Sequence, residues 1–181
     1  MTSRLNLDEL RAEVQRISME KVEFWYPQKG TQTLLSVIAP LEQAVKVRRL
    51  KLPKKAGDKY NRWVKVAPGV QFDPQHLAGF ARTDIRLHET YAVAVDVAFV
   101  GVRLWSLFAP QLVDLASNEE LLGHELKVSN VDGRPVIEMT SKKAALDNRE
   151  AGLKMLERLE RQEDCIDSAD VLAVMAEVTG G

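Results

Sequence analysis

The sequence has little cysteine and histidine for its length. Its 181 residues include one cysteine, Cys165, and three histidines. A single cysteine excludes an internal disulfide. Without a paired Cys-x-x-Cys spacing, three histidines give no basis for a zinc site. We therefore expect no metal, and a chain that works in a reducing compartment: the cytoplasm, which would be the host cytoplasm if a phage encodes the chain.

Long hydrophobic runs are also missing. The most apolar stretch, residues 91–107, contains Asp96 and Arg103, so it is too short and too charged to span a bilayer. Arg4 and Asp8 interrupt the first residues, which argues against a secretory signal. We expect no interaction with a membrane.

Motifs that carry catalysis are missing as well. The sequence contains neither a glycine-rich phosphate loop nor a nucleophile-elbow phrase. His76, His88 and His124 lie in different predicted elements, where each is best explained as a surface or packing residue. We expect that the chain is not an enzyme and holds no cofactor.

The most distinctive feature present is a basic stretch at residues 45–65, in a chain with a net charge of −1. Clustered cations attract polyanions whatever the net charge, and interleaved aromatic rings can stack on bases. A solvated basic hairpin without a ligand is the alternative interpretation. The candidate DNA-binding residues in this stretch are Lys46, Arg48, Arg49, Lys51, Lys54, Lys55, Lys59, Tyr60, Arg62, Trp63 and Lys65.

Two further candidates come from a later predicted strand. Trp105 alternates with the core-like Leu104 and shares its face with Arg103. Because an aromatic ring and a cation then lie side by side, we expect Arg103 and Trp105 to line the binding groove.

Hydrophobic periodicity predicts an α+β protein that is mainly β, with flanking helices. Apolar alternation predicts strands at residues 31–38, 45–52, 60–66, 91–99, 102–107, 125–131 and 135–140, the last two joined at Asp132-Gly133. Helical spacing predicts an N-terminal helix capped by Asn6 or Ser3, a helix at 110–122 and a long helix at 141–161. This order suits an OB-fold-like, partly open Greek-key barrel.

Composition divides the chain into three parts. We expect an N-terminal helix in residues 1–21, a nucleic-acid-binding core with its C-terminal helix in 22–162, and an acidic tail in 163–181 that has no Lys or Arg. The tail is either a solubilising end or a polyanion mimic. A mimic would occupy the basic groove and recruit replication or recombination proteins when DNA displaces it.

The order of these features resembles a known family, the OB-fold single-stranded DNA-binding proteins of tailed phages. This family is related to the T-even phage helix-destabilising protein. The resemblance rests on an aromatic-Pro-Lys-Gly phrase (residues 24–30), the basic hairpin (46–65), a Tyr/Val strand region with Trp105 (91–122), a last hairpin (123–140) and the acidic tail. The zinc subdomain and the basic N-terminal motif of the T-even member have no counterpart in this sequence.

The resemblance implies an OB fold and sequence-independent binding of single-stranded DNA in replication, recombination or repair. The alternative is a non-enzymatic phage or bacterial interaction or regulatory protein, whose basic hairpin binds RNA or an acidic protein. The sequence leaves open whether the chain forms a homo-oligomer.

Overall fold

The computed structural model describes residues 6–20, 22–52, 54, 56–70, 86–118, 121–144, 146–161, 165 and 167–179. Its helices are α1 (Leu7–Glu20), α2 (Ala109–Ala116), α3 (Arg149–Arg161) and α4 (Ser168–Thr179). Its strands are β1 (Phe24–Trp25), β2 (Gln32–Val37), β3 (Val45–Leu52), β4 (Arg62–Val66), β5 (Arg86–Val97), β6 (Gly101–Leu107), β7 (His124–Val131) and β8 (Arg134–Lys143).

The described strands form one mixed sheet that does not close on itself. Its main path runs β1-β6-β5-β2-β7-β8, and β3 pairs with both β4 and β5. The β1–β6 pair is parallel, whereas the pairs β2–β5, β2–β7, β3–β4 and β7–β8 are antiparallel. The predicted class, mainly β with flanking helices and compatible with an OB-fold-like open barrel, is confirmed.

The chain divides into two compact units, and the division differs from the expected one. Unit 1 comprises Met1–Val45 and Ala92–Glu160; unit 2 comprises Lys46–Tyr91 and Arg161–Gly181. Strands β3 and β5 each contribute residues to both units. The expected core of residues 22–162 is therefore not one unit, and the segment expected to be a separate tail belongs to unit 2.

Unit 1 is built on the alternation that the sequence predicts. Val93, Val95 and Val97 of β5 are buried in its main core, together with Trp105 and Leu115. The opposite face of β5 carries small residues, which allow a helix to approach closely. Here α3 reaches it through Gly152, where a Cβ atom would lie 2.9 Å from that of Ala94. Glycine in mid-helix, normally unfavourable, is explained by this contact.

Unit 2 has its own smaller core, to which the last helix contributes. Leu50 and Leu52 of β3 are buried with Val66 of β4 and with Val171 of α4, which is 3% exposed. The backbone N–H of Asp170 donates to Oδ1 of Asp167, so the first turn of α4 is capped. Residues 168–179 are thus a packed helix of this unit.

Helix α1 begins as expected, because Asn6 caps it. Asn6 Oδ1 accepts hydrogen bonds from the N–H groups of Asp8, at 3.1 Å, and Glu9, at 3.4 Å. Leu7, Leu10 and Val14 on its apolar stripe are exposed.

Several element bounds differ from the prediction for local reasons. Strand β8 continues to Lys143, so the helix predicted from residue 141 begins only at Arg149. Strand β5 begins at Arg86, five residues before the apolar alternation from which it was predicted. None of the described helices is long and apolar enough to cross a membrane.

The turn between β5 and β6 places a bulky residue where the backbone favours glycine. Val100 N–H donates to Val97 O at 3.0 Å, and Phe99, the third residue of this turn, has a φ of +64° and a fully exposed ring. Glycine or asparagine is usual at such a position, because a left-handed backbone costs other L-residues about 1–2 kcal/mol.

We expect Phe99→Gly to stabilise the protein by about 0.5–1 kcal/mol. Glycine relieves the left-handed strain, and its greater freedom in the unfolded chain cancels part of that gain. The midpoint of urea unfolding measures the change. Phe99→Ala keeps a Cβ atom and serves as the control, which should show no gain. Equal midpoints for the two variants would mean that the turn stores no strain.

Candidate nucleic-acid interface

Strands β4, β3 and β5 of unit 2 place two kinds of side chain on opposite faces. In the β3–β4 ladder, Arg49 lies opposite Lys65, and Lys51 lies opposite Trp63. Side chains alternate along a strand, so these residues share one face. The other face carries the apolar pair Leu50 and Val64, which belongs to the core of unit 2.

Strand β5 adds a histidine and an arginine to the same face. The ring of His88 meets that of Trp63 edge-on, with centroids 4.9 Å apart and planes at 80°. Arg86 lies two residues earlier in β5 and so shares the face of His88, whereas Leu87 between them packs on the core. The resulting surface, called the basic face below, consists of Arg49, Lys51, Trp63, Lys65, Arg86 and His88.

The basic face concentrates positive charge around one aromatic ring. None of the six strand residues that form it is acidic, and Trp63 is 49% exposed. Burial lowers the pKa of the His88 imidazole below its usual range, and the charges of Lys51 and Arg86 lower it further. Such a surface attracts an anionic chain and offers a ring on which a base can stack.

Arg48 is a structural residue, which corrects its assignment as a DNA contact. Its Nε lies 3.0 Å from Oε1 of Glu89, and its Nη1 donates to the carbonyl oxygens of Pro68 and Val70. Only 14% of the side chain is exposed. Lys46 also reaches Glu89, at 3.4 Å. Arg48 and Leu50 are two residues apart in β3, so the side chains of both lie on the core side of the strand.

Arg62 is likewise on the core side, opposite Leu52. Its Nε is buried and has no hydrogen-bond partner among the residues that the structure describes. This placement does not support its predicted contact with DNA. In β4, Arg62 and Val64 lie on one side and Trp63 and Lys65 on the other, in agreement with the two-residue period of a strand.

The loop between β3 and β4 carries three of the remaining candidates. Lys54, Lys59 and Tyr60 are exposed, and Lys59 Nζ lies 5.4 Å from the centre of the Tyr60 ring. Lys55 lies outside the described residues. These side chains are accessible to a ligand. They lie in a loop, however, so no strand pairing places them on the basic face.

Arg103 and Trp105 belong to unit 1, whereas the other candidates belong to unit 2. Trp105 is 1% exposed and meets Trp25 edge-on in the core, so its ring cannot stack on a base. Arg103 pairs with Glu23 at 3.0 Å and donates to the carbonyl oxygen of Val102. The predicted stacking of Trp105 is therefore wrong, and the ion pair of Arg103 does not support its predicted contact with DNA.

The sequence reading missed two members of the basic face, Arg86 and His88. The apolar alternation that marks β5 begins only at Tyr91. The two-residue period of this alternation, extended towards the N-terminus, places Arg86, His88 and Thr90 on one side of the strand. This pattern is the sequence signal that indicates the two missed residues. Cys165 and His124 are described but belong to no group of three His, Cys, Asp or Glu residues able to hold a metal within the described chain.

Comparison with known proteins gave no relative: no family model matches the chain, and neither the curated proteins nor the solved structures contain a significant match.

Proposed function

We propose that this protein binds single-stranded DNA with little sequence preference through the basic face. The observation that carries the proposal is Trp63, which is half exposed and shares its strand face with four cations and a histidine. Phosphates of a bound strand would lie against Arg49, Lys51, Lys65 and Arg86, while a base stacks on Trp63.

A single strand suits this surface better than a duplex. Stacking on one aromatic ring is worth roughly 1–3 kcal/mol per base, and it needs an unpaired base whose face is accessible. Every base has such a face, so stacking gives affinity without reading sequence. The cations contact only the backbone, which also carries no sequence information.

The biological setting follows from the resemblance and from composition. Replication, recombination or repair of DNA in the cytoplasm, with replication or recombination proteins as partners, is the setting we propose. Helix α4 packs in unit 2 through Val171. Among the described residues of the tail, Asp170 and Glu177 are exposed and can contact a partner protein.

The test is a titration of fluorescently labelled oligothymidine at increasing salt. Each neutralised phosphate adds about −0.7 to the slope of log affinity against log salt, so contacts to the four cations of the basic face predict a slope of roughly −3. Tryptophan emission should fall on binding, and Trp63→Phe should remove most of that change. A slope near zero would exclude the proposal.

The alternative function has a distinct outcome in the same experiment. If the basic face serves RNA or an acidic protein, oligouridine or a polyglutamate peptide should bind more tightly than oligothymidine at equal length. The basic face alone does not favour either of these ligands, because both offer the same negative charge. Stacking on Trp63 favours a nucleic acid over the peptide.

A further inference from the structure

We propose that His88 is a proton-linked contact of the basic face: it takes up a proton when the face binds a phosphodiester chain. This inference rests on the proposed function. It adds His88 as a contact residue and pH as a regulator of binding. It predicts that the affinity for single-stranded DNA depends on pH through one side chain.

The geometry places His88 where a bound strand would meet it. Its ring lies 4.9 Å from that of Trp63, on which a base would stack. In the β3–β4 ladder Trp63 lies opposite Lys51, so Lys51 and His88 flank the same indole. A nucleotide stacked on Trp63 would bring its phosphate to cations of this face, beside the His88 imidazole.

The groups around His88 make the protonated form unfavourable without a ligand. Burial is the main cause that lowers the pKa of His88, and the positive charges of Lys51 on β3 and Arg86 on its own strand lower the pKa further. From β4, the neighbour in contact is the uncharged Trp63, and the next residue on that face is Lys65. Glu89 follows His88 in sequence, but it lies on the other side of β5 and is engaged by Arg48 and Lys46.

A bound phosphate reverses this balance. Its negative charge offsets the field of Lys51 and Arg86, so the pKa of His88 is higher in the complex than in the free protein. The complex then holds more protons than its separate components at a pH between these two pKa values. By linkage, affinity rises as pH falls through that window and stops changing below the lower pKa.

The experiment measures oligothymidine affinity at two pH values and constant low salt, because thymine does not titrate in this range. The wild type should bind roughly fivefold more tightly at about pH 5.5 than at about pH 7.5, because the charge of a bound phosphate raises the pKa of His88. Calorimetry in two buffers of different ionisation enthalpy should show uptake of a fraction of a proton.

Three variants isolate His88 from other titrating groups. His88→Gln should lose the pH dependence, so its affinities at the two pH values should be equal. His88→Lys carries a permanent charge, so its affinity should be pH-independent and near the low-pH wild-type value. His124→Gln, in unit 1, should keep the wild-type dependence and serves as the control.

The outcomes separate this inference from the proposed function. Binding that is unchanged or weaker at low pH, or a pH dependence that survives in His88→Gln, overturns the inference and leaves the proposed function intact. Absence of oligothymidine binding at both pH values overturns both. Tryptophan emission of the free protein gives an independent check, because a protonated imidazole beside Trp63 should quench it, and His88→Gln should lack that step.

Discussion

Deleting residues 162–181 should unfold unit 2 and weaken binding of single-stranded DNA. The deletion removes α4, whose Val171 is 3% exposed among Leu50, Leu52 and Val66. These same strands display the basic face on their other side. Loss of the helix uncovers their apolar side to water, and a unit this small has little other core to hold it together.

The matched point variants are Val171→Asp and Ala173→Asp, which add the same charge to the same helix. Val171→Asp places a carboxylate in the core and should destabilise the protein by about 3 kcal/mol or more. Ala173 is exposed, so its replacement should cost only about 0.5 kcal/mol through helix propensity.

Thermal unfolding and hydrogen exchange of the β3 and β4 amides measure these effects. Hydrogen exchange distinguishes unfolding of unit 2 alone from unfolding of the whole chain. The hypothesis that the acidic tail competes with DNA for the basic residues predicts the opposite result, because deletion of the tail would then strengthen binding at low salt. Stronger binding by the deletion variant would therefore contradict the packing of α4 in unit 2. It would support the acidic tail as a competitor of DNA.

Local patterns in the sequence predict the parts of the fold that local chemistry determines. Strand β3 has the predicted bounds, residues 45–52, because its apolar and basic residues alternate over most of its length. The hairpin at Asp132-Gly133 forms as expected, with φ values of +50° and +80° that suit this residue pair. Asn6 caps α1 for the same kind of local reason.

Long-range contacts explain where the sequence reading fails. Arg48 resembles its neighbour Arg49 in sequence, yet it binds Glu89, which lies 41 residues further along the chain. No local pattern indicates that partner. Likewise, nothing in the acidic composition of residues 163–181 indicates that Val171 packs in the hydrophobic core of unit 2.

The candidate site was half predictable. Alternation alone assigns Arg49, Lys51, Trp63 and Lys65 to one side, once Leu50 and Leu52 are taken as buried. Arg86 and His88 required the pairing of β3 with β5, which joins segments that are distant in sequence. Trp105 was misplaced because a buried and an exposed tryptophan look the same in a short alternating strand.

Reversing two charges of the basic face, Lys51→Glu with Arg86→Glu, should lower oligothymidine affinity at least about 100-fold at about 50 mM salt. The double variant loses two phosphate contacts and adds repulsion beside Trp63. The salt slope should fall in magnitude from roughly −3 to roughly −1.5, since each lost contact removes about 0.7. Both side chains lie on the face away from the core, so the melting temperature should change little.

The control is Arg134→Glu with Lys143→Glu, which changes the net charge equally. Both residues are exposed on β8 in unit 1. If binding depended only on the net charge of the protein, the two double variants would weaken it equally. We expect the control to lose no more than about threefold, because neither residue belongs to the basic face and salt screens the long-range attraction of exposed charges. Equal losses would show that the basic face is not the binding site. A large loss confined to Lys51→Glu with Arg86→Glu, with the fold retained, would locate the DNA on β3, β4 and β5.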